Sequence, residues 1–74
     1  IPVVISGVFK NHSRDELRKL IEWNGGKNVS SVSKNTGFLL AGENPGPEKI
    51  NKAIQLNIKV ISENDFEKMI GLQD

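Results

Sequence analysis

Seventy-four residues, 36% of them apolar and 26% charged, suffice for one modest hydrophobic core and exclude both a disordered chain and a second domain. The lack of cysteine excludes a disulfide framework and a thiolate zinc site, and a formal charge of +1 excludes strong nonspecific attraction to nucleic acid, so any anion contact has to be local. No stretch approaches the roughly 20 apolar residues of a membrane span, and the start lacks the basic and apolar regions of a signal peptide, so the expectation is a cytoplasmic monomer with no membrane partner.

The chain opens on Ile1-Pro2-Val3-Val4, as though cut close to its first strand, and reads as a piece of a longer protein. Val3-Val4-Ile5 is a β-branched run closed by Ser6-Gly7, which suits a strand buried on both faces. Ser13-Arg14-Asp15-Glu16 has capping-box spacing and predicts a helix from Arg14 to about Asn24. Leu17, Leu20 and Ile21 form its apolar stripe, and Gly25-Gly26 is its stop.

Lys27 to Ser33 is polar and serine-rich, so a strand there is short and lies at a sheet edge. Phe38-Leu39-Leu40-Ala41, closed by Gly42, repeats the pattern of the opening strand and predicts a central one. Pro47 fits the first turn of a second helix with Ile50, Ala53 and Ile54 as its stripe, and Asn57 ends it. Ile58, Val60 and Ile61 make a last strand; Ser62-Glu63-Asn64-Asp65 then starts a last helix with Phe66, Met69 and Ile70 inward. The expected core comprises Leu20, Ile21, Phe38, Leu39, Ile54, Val60 and Phe66.

Such alternation of strands and helices predicts an α/β fold with a parallel sheet and right-handed crossovers. Ligands of open parallel sheets gather beyond the carboxyl ends of the strands, here the loops from Ser6 to Ser13 and from Gly42 to Pro47. Each loop leads to a cation in a helix first turn, Arg14 and Lys49, where the macrodipole disfavours positive charge by roughly 0.3–1 kcal/mol. Two readings follow. Both side chains are solvated surface charges, or a phosphate held by Ser6 Oγ, the Gly7 N–H, Arg14 and Lys49 reverses the local sign.

The other candidates carry less. Gly25-Gly26-Lys27 lacks the spacing of a phosphate loop. His12 has no cysteine to share a metal with and reads as solvated; Trp23 lies off the apolar stripe and reads as a partly buried aromatic at the helix end, with base or partner stacking as the alternative. Asp15, Glu16, Glu43 and Glu63 fall in first turns or polar loops, where capping and the dipole account for them. No general acid/base pair, metal cluster or nucleotide-transferring lysine emerges, so the chain is expected not to be an enzyme.

Ser6-Gly7, Ser13-Arg14-Asp15-Glu16, Gly25-Gly26-Lys27, Ser31 to Thr36, Ala41-Gly42-Glu43-Asn44, Gly46-Pro47-Glu48-Lys49 and Ile61 to Phe66 together resemble a BRCT domain along nearly the whole chain. The Ala-Gly-Glu-Asn segment followed by Gly and Lys is most similar to the C-terminal BRCT domains of bacterial NAD-dependent DNA ligases. The resemblance implies one three-layer domain over residues 1–74, a four-stranded parallel sheet in the order 2-1-3-4, and three helices. It also implies phosphate or DNA binding by Ser6, Gly7 and Lys49, with Arg14 added as in domains that hold a 5′-phosphate end. The implied partner is nicked or 5′-phosphorylated duplex DNA, engaged with other domains of the same ligase during nick sealing in replication and repair. No cofactor belongs to this domain; NAD and a divalent metal belong to the implied parent. The alternative is a module of another replication or repair protein that binds a phosphopeptide or a protein. Many BRCT domains carry a tryptophan in the last helix, where this chain has Phe66 and Met69, a departure that weighs against paired-repeat phosphopeptide recognition.

Overall fold

A computed structural model describes residues 1–71. Its elements run β1 (Pro2–Ser6), α1 (Arg14–Trp23), β2 (Lys27–Val29), β3 (Phe38–Ala41), α2 (Pro47–Gln55), β4 (Lys59–Ser62) and α3 (Glu63–Met69). The sheet is wholly parallel in the order β2-β1-β3-β4, as expected, with β2 a three-residue edge strand. In register, Val3, Val4 and Ile5 of β1 lie beside Phe38, Leu39 and Leu40 of β3, so the two β-branched and leucine-rich runs form the middle of the sheet.

Side-chain alternation along these strands divides the core into two layers. Val3, Ile5, Leu40 and Ile61 face α1 and α3, where Leu17, Ile21 and Phe66 meet them. Val4 and Leu39 face the other way, toward Ala53 of α2 and Val32 of the β2–β3 loop. Helices therefore cover both faces, and β1 is buried on both.

Local chemistry sets the boundaries. Ser13 and Glu16 close a reciprocal capping box at the start of α1, and Gly25 takes a φ of +84° to turn the chain after it. Pro47 occupies the first turn of α2, and Asn57, with a φ of +58°, follows its end. Ser62 Oγ accepts the N–H of Asp65 at 3.1 Å and caps α3.

Six residues depart from the packing expected of them. Met69, expected inward with Phe66 and Ile70, is 54% exposed at the last residue of α3. Ile54 is 65% exposed, because the buried line of α2 runs Ile50, Ala53, Leu56 at three-residue spacing and leaves Ile54 on the rim. Val60 is 41% exposed; it alternates away from buried Ile61 on the edge strand β4. Leu20 and Phe38 are partly buried residues packed against the α1/α3 layer, whose centre is formed instead by Leu17, Val3, Leu40 and Phe66. Trp23 is 81% exposed rather than partly buried: two residues past Ile21, it points about 200° around the helix from the buried face.

Candidate functional site

The chain leaves β1 through α1 toward β2 and leaves β3 through α2 toward β4, so the crossovers diverge between the carboxyl ends of β1 and β3. That divergence is a topological switch point, where open parallel sheets leave a crevice. The two loops that rise from it are tied together by paired main-chain bonds: Val8 N–H donates to Glu43 O at 2.9 Å and Glu43 N–H to Val8 O at 2.8 Å. Gly7 makes that approach possible. Its φ is +97°, and a Cβ there would come within 2.7 Å of the Glu43 carbonyl oxygen.

Ser6 is 3% exposed, and its Oγ accepts the N–H of Gly46, the residue at the head of α2, at 2.9 Å. The last side chain of β1 thus fixes the start of α2 across the switch point. No side chain caps α2, whereas α1 and α3 each carry a serine cap. Pro47 has no N–H and that of Gly46 is bonded to Ser6, so the N–H groups of Glu48 and Lys49 are the ones that keep their positive potential. Lys49 is the third residue of that uncapped turn and Arg14 is the first residue of α1.

Because α1 and α2 lie on opposite faces, Arg14 and Lys49 approach each other around the carboxyl end of edge strand β2. Both line one depression of about 200 Å³, together with Ile5, Asp15, Arg18, Asn28, Val29 and Ser30. Ser6 and Gly7 do not line it; they sit at the adjoining end of β1, Ser6 held inward by its bond to Gly46. Of the four residues singled out in the sequence, two therefore share the depression and two build the loops beside it. Arg18, Asn28 and Ser30 were missed. The spacing of Arg14 and Arg18, one helical turn apart, is the signal that could have found Arg18; Asn28 and Ser30 depend on where the edge strand ends.

His12 is corrected. Instead of being solvated, its side chain is 15% exposed, with Nδ1 3.1 Å from Glu63 Oε2 and 3.7 Å from Glu67 Oε2. Glu63 also accepts the main-chain N–H of Lys10 at 3.2 Å and of Asn11 at 3.1 Å, while Asn11 Nδ2 donates to Glu67 Oε2 at 3.4 Å. The start of α3 thereby clamps the β1–α1 loop. The pairing joins residues 51 positions apart, out of reach of any local motif. Among the described residues, no cluster of three or more His, Cys, Asp or Glu is arranged to hold a metal ion.

A parallel four-stranded sheet in this order, helices on both faces and a switch point built from Ser6 and Gly7 define a small α/β module of the BRCT kind. Residues 2–70 match the model of the BRCA1 C Terminus (BRCT) domain, and the chain belongs to that family. It is 57% identical over 69 residues to a DNA ligase of Bacteroides fragilis, covering 93% of this chain and 10% of the ligase. DNA ligases of Parabacteroides distasonis and Flavobacterium psychrophilum are 51% and 54% identical, over 95% and 90% of the chain and 10% of each ligase. The chain thus spans about a tenth of the length of these curated relatives. No helix among the described residues is long and apolar enough to cross a membrane.

Proposed function

We propose that this chain is the non-catalytic BRCT module of an NAD-dependent DNA ligase and that it takes the 5′-phosphate end of nicked duplex DNA at the carboxyl edge of its sheet. The observation that carries the reading is the convergence of Arg14 and Lys49 in one depression beside an uncapped helix start. A phosphate there converts two cations that oppose the helix dipoles into charge-assisted donors. The free first-turn N–H groups of α2 add further donors. Ser6 and Gly7 support the site from behind: Ser6 Oγ accepts the Gly46 N–H and fixes the start of α2, and Gly7 lets the two loops meet beside the depression. The similarity to DNA ligases supports a nucleic-acid phosphate over a phosphopeptide.

Adenylation and sealing fall to other domains of the longer protein, where NAD and a divalent metal act; this domain's part is to hold the end in place. Incubated with radiolabelled NAD and magnesium, the chain stays unlabelled, and adenylate bound covalently to it would overturn the non-catalytic reading. An NMR titration tests the ligand. A 5′-phosphorylated nicked duplex shifts the amides of Gly7, Arg14 and Lys49 more than a phosphoserine peptide does at equal concentration. The reverse order would favour a peptide-reading module.

A further inference from the structure

Of the eight asparagines in the chain, Asn24 alone precedes a glycine. It is the exposed C-cap of α1, and Gly25 follows it at a φ of +84° with nothing within 4 Å of the place a Cβ would take. An asparagine before glycine is the pair in which the next main-chain nitrogen reaches the side-chain amide carbon with least hindrance, because no Cβ shields that nitrogen.

Main-chain bonds hold this turn lightly. The Asn24 N–H is shared between the Leu20 and Ile21 carbonyls at 3.2 Å each, and the Gly25 N–H meets Glu22 O at 3.1 Å. Split, long bonds of this kind belong to a helix end that opens locally without unfolding the rest. The shortest tie at Asn24 is its own side chain, whose Nδ2 donates to Leu20 O at 2.8 Å. The last turn holds Glu22 and no basic residue, so no cation offsets the negative end of the helix dipole. Beyond the turn the chain enters the sheet at once: Gly26 N–H donates to Ile21 O at 2.8 Å, and Lys27 N–H to Ile1 O at 2.9 Å, which seats the start of β2 beside the amino end of β1.

We propose that Asn24 is a site of covalent modification, deamidation through a cyclic imide, and that the product unfastens α1 from β2. When the last turn opens, the Gly25 nitrogen gives its proton to solvent and attacks Asn24 Cγ. A bond forms between the two, the Cγ–Nδ2 bond breaks, and Nδ2 takes up a proton and leaves as ammonia. Water, the only co-reactant, then opens the imide at either carbonyl. Opening at one gives aspartate; opening at the other gives isoaspartate, in which the main chain runs through the former side chain.

Either product replaces a donor by a carboxylate. The oxygen that takes the place of Nδ2 faces the Leu20 carbonyl, and a second acid joins Glu22 at the negative end of the dipole, so the cap does not re-form. Isoaspartate also lengthens the main chain just ahead of the Gly25-Gly26 turn and pushes Lys27 away from Ile1. Asn28 and Val29 of β2 line the depression described above, so damage at the far end of α1 reaches the candidate site through the edge strand.

The test ages the folded chain in mildly alkaline buffer and follows the tryptic fragment from Leu20 to Lys27, which carries the only tryptophan and is traced by its absorbance. Expected is a mass gain equal to the replacement of NH by O, with part of the product accepting a methyl group from protein isoaspartate methyltransferase. Exposed Asn35, Asn51 and Asn64, each followed by a residue with a Cβ, stay unchanged over the same period. Asn24→Gln abolishes the gain. Asn24→Asp, made directly, reproduces the consequence: the melting temperature falls by about 4–8 °C, the shift that one lost hydrogen bond produces in a domain of this size. In the same variant the Lys27 amide exchanges with solvent about fivefold faster, while the amides of Leu39 and Leu40 keep their rates. A fragment that stayed unchanged in the folded chain but gained the mass in denaturant would overturn the site, since the helix end would then protect it. So would equal gains at Asn35, Asn51 and Asn64. Unaltered melting and exchange in Asn24→Asp would overturn the unfastening of β2.

Discussion

Two polar clusters flank the β1–α1 loop, and they are built on opposite principles. Where the loop meets α3, every charge has a protein partner: His12, Glu63, Glu67, Asn11 and the Lys10 main chain satisfy one another, with the three titratable side chains only 13–18% exposed. At the carboxyl edge of β2, Arg14, Arg18 and Lys49 gather beside a helix that no side chain caps, with Asp15 the one carboxylate in the depression to balance them. The first cluster is complete within the fold and contributes stability. The second is incomplete and contributes, on our reading, binding.

Mutations should separate the two. The largest effect belongs to the packing beneath the complete cluster: Phe66→Ala, at a residue 1% exposed, is expected to cost about 3–5 kcal/mol in chemical denaturation. Next comes Glu63→Ala, which leaves the Lys10 and Asn11 N–H groups and His12 without their acceptor; about 1.5–3 kcal/mol is expected from the same denaturation curves. A loss below about 0.5 kcal/mol would mean that the clamp is surface decoration. Smaller again, Arg14→Gln and Lys49→Gln should leave the melting temperature unchanged or slightly raised, because each removes a cation from the positive end of a helix dipole. Marked destabilisation by either would put them in the structural class with Glu63. Smallest of all, Trp23→Ala and Ile54→Ala, both exposed, should shift stability by no more than about 0.5 kcal/mol.

The same contrast explains what the sequence disclosed. Elements governed by neighbours along the chain were legible: the Ser13/Glu16 box, the Gly25 stop, Pro47 at the head of α2 and the short edge strand all stand where local pattern puts them. The strand order came from family resemblance, since periodicity does not rank strands in a sheet. Errors arose where burial depends on a partner from elsewhere. On a helical wheel Ile54 and Leu56 lie on opposite sides of the Ile50–Ala53 line, and only the way α2 packs on the sheet at small Ala53 decides which one is covered. Val32, flanked by serines, looks like loop and is 5% exposed because the β2–β3 loop folds over the α2 layer.

The site divided along the same line. Arg14 and Lys49 stood out because each breaks a local rule of helix electrostatics, and such a violation is visible in one dimension. Arg18, Asn28 and Ser30 break no rule. They become conspicuous only once two crossovers of opposite direction bring α1 and α2 around the same strand end. His12 reads as an isolated polar residue until α3 returns to it.

The central claim, that the edge between α1 and α2 is completed by a DNA 5′-phosphate, is tested most directly by affinity for one duplex end with and without that phosphate. The unaltered chain should bind the phosphorylated end more tightly, and Arg14→Gln or Lys49→Gln should each reduce that preference while leaving binding to the hydroxyl end nearly unchanged. Base sequence should hardly matter. Equal affinity for the two ends, or equal losses on both in the two variants, would contradict the account and leave Arg14 and Lys49 as solvated surface charges.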